Sequence, residues 1–223
     1  MEAERALRKA KLTTPRAAAL AGILFSVLLI TSLVLIRISV PVDLQDAGSW
    51  LSGRWNSVNL ALNMVPFAGI AFLWFIGVVR DRLGQDEDRF FATVFLGSGL
   101  LFLAMLFAST AVAGGILNFY GADPDMLIGS GIYTFGRTVA YEIMNVYAMK
   151  MAGVFMMSTC TLSLRTGIIP RWMAFLGLIL AVFLLLSIGF FSWASLILPL
   201  WVLLISVHIL IANMGRPSDE PVT

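Results

Sequence analysis

From Trp172 to Ala212 the chain reads WMAFLGLILAVFLLLSIGFFSWASLILPLWVLLISVHILIA, 41 residues with almost no polar break. As one helix this run would be about 60 Å long, twice the hydrocarbon thickness of a bilayer. It must therefore fold back, and Ser187-Ile188-Gly189-Phe190-Phe191-Ser192-Trp193 is the place where it can. Two spans result, 172–190 and 193–213. Moving toward the N-terminus, four more apolar segments stand out, at about 17–37, 56–79, 90–114 and 138–163. Six spans of about 20 residues use roughly 120 residues. In a chain of 223 residues, that leaves short loops and tails and no room for a soluble domain. The expected fold is an all-α membrane protein, a bundle of six transmembrane helices.

Composition agrees. The chain is 59% hydrophobic and 13% charged, with a mean hydropathy of +0.91. A soluble domain is roughly 45–50% apolar and about 25% charged. An ordinary soluble enzyme is thus excluded, as are a disordered chain, a collagen and a disulfide scaffold. The net charge of +2 carries no footprint of a nucleic-acid partner. Cys160, the single cysteine, lies inside an apolar stretch and cannot report the redox compartment.

Orientation follows from Lys and Arg. With the N-terminus inside, eleven basic residues fall in inner segments: Arg5, Arg8, Lys9, Lys11, Arg16, Arg80, Arg82, Arg89, Arg165, Arg171 and Arg216. Only three, Arg37, Arg54 and Arg137, fall outside, and Lys150 sits within a span. This bias places both termini in the cytoplasm. Trp50, Trp55 and Trp193 then mark the outer interface, and Trp74 and Trp172 the inner one. Residues 1–16 read as a basic cytoplasmic segment, 17–213 as a single transmembrane domain and 214–223 as a cytoplasmic tail. The start resembles a signal peptide, but its apolar run of 20 residues is long for one, and no A-x-A site follows. It reads as a first helix that stays attached.

Small residues recur at packing distance: Ala18, Gly22 and Ser26 on the first helix, Gly177 and Ala181 on the fifth. Such spacing lets backbones approach closely, within one chain or between two. An inverted repeat of three plus three helices finds no support. Pro66 in the second helix has no counterpart in the fifth, nor Pro199 of the sixth in the third.

The polar residues inside the spans carry what functional signal there is. Lys150 lies near the middle of the fourth helix, where an ammonium costs about 2.5–3.5 kcal/mol to insert. Glu142 is about 12 Å further outward on the same helix. On a regular helical wheel Thr138, Glu142, Asn145, Met149, Lys150 and Gly153 share one broad face. Asn56, Asn59, Asn63 and Pro66 form a second polar stripe on the second helix. Counted from Arg54 and Arg137, the amides and Glu142 lie at matching depths in the outer half. Thr31, Ser32, Ser109 and Thr110 lie at that level too. One reading is a water-filled pocket open to the outside, with Lys150, Glu142, Asn145, Asn59 and Asn63 as its ligand-binding residues. A second is a closed network in which these groups only satisfy one another. A third is a polar face that meets a partner subunit.

Recognisable catalytic chemistry is sparse. His208 is the only histidine, which excludes a His-rich metal site or a bis-histidine haem. Met144, Met149, Met151, Met156 and Met157 crowd the fourth helix near Cys160. Thioethers suit Cu(I), but methionine is also a common gap-filler in apolar packing. No phosphate loop, zinc motif or paired aspartates occur in a span. No catalytic residue, metal or cofactor is assigned, and the chain reads less as an enzyme than as a binding or structural protein.

Between the fourth and fifth spans the chain reads Arg165-Thr166-Gly167-Ile168-Ile169-Pro170-Arg171-Trp172. This resembles an R-[ST]-G-x-x-P-R-W element that recurs in uncharacterised families of bacterial multi-pass inner-membrane proteins of about this size. The resemblance implies a bacterial cytoplasmic membrane location and a multi-pass topology, and no activity. Three functions stay open: binding or passage of a small polar or anionic solute or a lipid headgroup, a structural or accessory subunit, and a membrane enzyme. Membrane lipids surround the protein in each case, and its oligomeric state and partner subunits are left open.

Overall fold

Backbone amides in hydrocarbon have no water to bond, so apolar segments of this length satisfy them internally as helices. The computed structural model describes residues 2–41, 48, 50–83, 89–167, 169–186 and 193–214. Among them there is no strand. The helices are α1 (Glu2–Ser39), α2 (Leu51–Leu83), α3 (Arg89–Ala122), α4 (Pro124–Gly129), α5 (Ile132–Glu142), α6 (Met149–Thr166), α7 (Arg171–Leu186) and α8 (Ile197–Met214). A π-helical segment, Ile143–Ala148, joins α5 to α6, and a 3-10 turn, Ala194–Leu196, precedes α8.

Four of these are long and apolar enough to cross a membrane: Arg16–Ser39, Leu51–Arg80, Ala92–Ala122 and Ala194–Ala212. The stretch expected as a span at 138–163 is divided among α5, the π segment and α6. The one expected at 172–190 becomes α7, a shorter apolar helix of 16 residues. The expected fold-back at 187–192 lies outside the described residues. On either side of it, α7 is described as far as Leu186 and α8 begins at Ile197 after the 3-10 turn, so the 41-residue run holds two helices.

Helix boundaries differ from expectation at two places. Residues 2–16 form the first turns of α1, rich in Ala, Leu, Glu, Lys and Arg, and the helix runs through Pro15. The expected connection at 115–137 is mostly helical as well. α3 continues to Ala122, and Asp123 then caps α4, its carboxylate accepting from the Met126 amide at 3.0 Å. Gly131 at φ 77° separates α4 from α5. Gly167 at φ 69° ends α6, and the turn restarts at Pro170, whose carbonyl accepts from Met173 and Ala174.

α1 packs between α2 and α8, α3 bridges α2 and α6, and α7 lies on α6. The small-residue stripes serve these contacts. A Cβ on Gly22 would fall 2.0 Å from Ser206 Oγ of α8 and 2.9 Å from Phe75 of α2. One on Gly177 would meet Cys160 and Trp201 at 2.4 and 2.5 Å. Phenylalanines fill the middle of the bundle. Phe72 has its ring centroid 4.5 Å from Phe25, 5.5 Å from Phe102 and 5.2 Å from Phe155. Phe95 continues the cluster at 5.1 Å from Phe155. Met149 and Met156 are buried in the same core, as a packing role requires.

Candidate functional site

The five polar residues grouped by the sequence occupy four separate places, with only Asn59 and Asn63 together. Lys150, the second residue of α6, donates through Nζ to the Leu185 carbonyl at 2.5 Å. Lys150 therefore ties α6 to α7 through a backbone carbonyl. Glu142, the last residue of α5, is exposed, and its carboxylate makes no hydrogen bond or ion pair with another described residue.

Asn59 and Asn63 lie on the exposed side of α2. The Asn63 amide donates to the Asn59 carbonyl at 2.8 Å and to its side-chain oxygen at 3.1 Å. Together with Pro66 and Asn118 they line a groove of about 390 Å³ against α3. Of the five, Asn145 alone lines a second, interhelical cavity, and its amide donates back to the Tyr141 carbonyl at 3.0 Å.

The cavity has a volume of about 280 Å³ and lies between α1, α2, α3 and α5. Its two ends differ in character. Toward the phenylalanine cluster, the walls are Leu29, Leu33, Leu62, Val65 and Leu106. At the other end stand Arg37, Trp50, Tyr133, Arg137, Tyr141 and Trp193. No carboxylate lines it among the described residues.

Hydroxyls hold the walls in register. Ser32 donates to the Ala61 carbonyl, tying α1 to α2, and Ser109 donates to that of Ala140, tying α3 to α5, both at 2.8 Å. Tyr133 organises the charged end and is only 2% exposed. Its hydroxyl accepts from Trp50 Nε1 at 2.8 Å and from Arg137 at 3.3 Å. The Arg137 guanidinium also lies 5.9 Å from the Tyr133 ring centre and donates to the Pro41 carbonyl. Arg37 stands over the Trp193 ring at 5.6 Å. These partners are a phenol, an indole and a carbonyl, all neutral, while a guanidinium keeps its charge. Among the described residues, the end of the cavity therefore carries only positive charge.

The arginines were legible in one respect. Arg37, Arg54 and Arg137 are the exceptions to the charge bias, and each is built into the fold. Arg54 donates to the Ile38 carbonyl. A basic residue on the side where basic residues are scarce is a signal that depth arguments pass over. Tyr133 and Trp50 had no such signal, since their roles depend on contacts 83 residues apart in the chain.

No protein-family model, curated protein or solved structure matches this chain. The chemistry of the cavity is what speaks to function.

Proposed function

We propose that this chain is a six-span protein of a bacterial cytoplasmic membrane with both termini inside. In this reading it binds a small polar solute or lipid headgroup in a cavity open to the outside. The observation that carries it is the cavity itself, apolar at one end and cationic and aromatic at the other. Binding sites are commonly apolar concavities with a few convergent polar groups.

The topology rests on the charge bias and on the exposed Trp74 and Trp172 toward one end and Trp193 at the other. The rod from Ile132 to Thr166 has 35 residues, about 50 Å, enough for a span. The described part of α7 is about 24 Å long, and Lys150 holds it to α6 through the Leu185 carbonyl. The phenylalanine cluster below the cavity favours binding over passage.

Accessibility tests the reading. In a Cys160→Ser background, Asn145→Cys should react with a membrane-impermeant thiol reagent added outside intact cells. Ala152→Cys, in the buried core, should not. Failure of Asn145→Cys to react in folded protein would leave the cavity closed and overturn the proposal.

A structural or accessory subunit is the second reading. The Lys150–Leu185 and Asn63–Asn59 hydrogen bonds favour it, since each satisfies a polar side chain within the protein.

A further inference from the structure

We infer that the cavity takes an anionic amphiphile, with its oxyanion between Arg37 and Arg137 and its apolar stem running down toward Leu29 and Leu106. The inference rests on the binding reading above and specifies its ligand class.

Three features of the site carry it. First, two guanidiniums line one cavity, and no described lining residue brings a carboxylate. A guanidinium presents a rigid fork of donors suited to carboxylate and phosphate oxygens. The contacts of Arg37 and Arg137 described above are to neutral groups, and they leave other donors of each fork available. An oxyanion would balance charge that the ring of Trp193 and the carbonyl of Pro41 only orient.

Second, the wall changes character along the cavity. A small hydrophilic anion would gain nothing from Leu33, Leu62 and Val65, and a plain hydrocarbon nothing from the arginines. A molecule with both parts matches both ends. Third, the length of the stem is bounded. At about 280 Å³ the space is at the small end of ligand sites, and the phenylalanine cluster closes it. A headgroup with a short apolar stem fits, whereas a whole two-chain lipid would have to leave its tails in the bilayer.

The shared chemistry has two sources: the headgroup region of a bilayer phospholipid, or a free short-chain acid or phosphate monoester. The test uses the full chain purified in a neutral detergent, with octyl phosphate, octyl glucoside and inorganic phosphate as probes. Octyl phosphate should raise the melting temperature saturably at concentrations where the other two do not. Arg37→Gln should weaken its effect about tenfold, the scale of one charge-assisted hydrogen bond, each shift being read against that variant's own unliganded melting temperature. That variant is chosen because Arg37 stacks on Trp193, whereas Arg137 also anchors the backbone at Pro41. Leu33→Trp, which fills the apolar end, should abolish the advantage of octyl phosphate without removing a charge.

Equal effects of octyl glucoside and octyl phosphate, or an unchanged response in Arg37→Gln, would overturn the inference. So would inorganic phosphate binding as well as octyl phosphate. Native mass spectrometry separates the sources. A phospholipid retained by the wild-type chain and lost in Arg37→Gln points to the bilayer, and a bare chain that takes octyl phosphate points to a free amphiphile. If Asn145→Cys is accessible but no anion effect is found, the inference fails and the pocket stands. If Asn145→Cys is closed, both fall.

Discussion

Lys150 is the residue whose position in the sequence demands most explanation, because an ammonium deep in an apolar helix must be satisfied. Its donation to the Leu185 carbonyl satisfies the charge within the fold and joins α6 to α7. Lys150→Met should therefore lower stability by about 1.5–3 kcal/mol, the scale of a hydrogen bond to a charged group. Glu142→Gln should change it little, and the double variant should be additive within about 0.5 kcal/mol. Thermal unfolding of the four proteins in detergent checks this, and a coupling of several kcal/mol would show that the two charges meet after all. Tyr133 makes the opposite case, a residue of no sequence distinction with a central place. Tyr133→Phe removes the acceptor of both Trp50 and Arg137 while keeping the ring, and should cost about 1–3 kcal/mol in the same assay. The polar character of Lys150 was legible because a charge in a span has no bland placement. Its partner was not, because the Leu185 carbonyl is backbone, and any residue type could have supplied it.

At the scale of elements, the fourth predicted span shows where a regular pattern stops being a guide. A wheel at 100° per residue holds through α5 and fails across Ile143–Ala148, where the π turns hold more residues than α turns. Beyond Glu142 the faces drift, so Asn145 reaches the cavity while Lys150 reaches α7. Depth along the same helix is read from counting residues, which does not depend on azimuth because rise accumulates on every face. Asn59 and Asn63 fail for a related reason. Residue counting puts them level with Asn145, but which side of α2 faces the bundle is decided by the buried Val58, Ala61 and Val65. Close approach is more readable, since glycine leaves few alternatives. A Cβ on Gly153 would lie 3.0 Å from the Ala181 carbonyl and from Leu185, so α6 and α7 meet there. Gly153→Leu should destabilise the protein by about 1–3 kcal/mol or more, the usual cost of overpacking. Gly97→Leu, on α3 with open space around it, should be close to neutral. Equal melting temperatures for the two variants would place the α6–α7 contact elsewhere.

For the whole molecule, the division into a closed half and an open half matters more than any one contact. Phe72 touches rings from α1, α3 and α6, so it is the common member of the cluster beneath the cavity. Phe72→Ala should cost about 3–5 kcal/mol, the range for emptying a buried aromatic site, and a smaller loss would mean that the half is loosely packed. Helical class and the presence of membrane-length helices were legible because apolar length alone decides them. The ring order of the helices was not, since every span is apolar on several sides and pairing is chosen by small residues such as Gly22 and Gly177. Orientation is the remaining property of the whole chain, and it is argued from the distribution of Lys and Arg rather than from contacts. Eleven inner against three outer basic residues predicts that α4 is outside and that the connection between α2 and α3 is inside. The outer three weaken the count less than their number suggests, because Arg37, Arg54 and Arg137 are held by indole, carbonyl and phenol groups of the fold. Their place is explained by packing, so the bias among the remaining basic residues is sharper still. In a Cys160→Ser background, a cysteine at Asp125, exposed in α4, should react in intact cells with a membrane-impermeant reagent. A cysteine at Asp86, which lies outside the described residues, should react only after permeabilisation. The reverse pattern would invert the protein and, with it, put the arginine-lined end of the cavity on the cytoplasmic side.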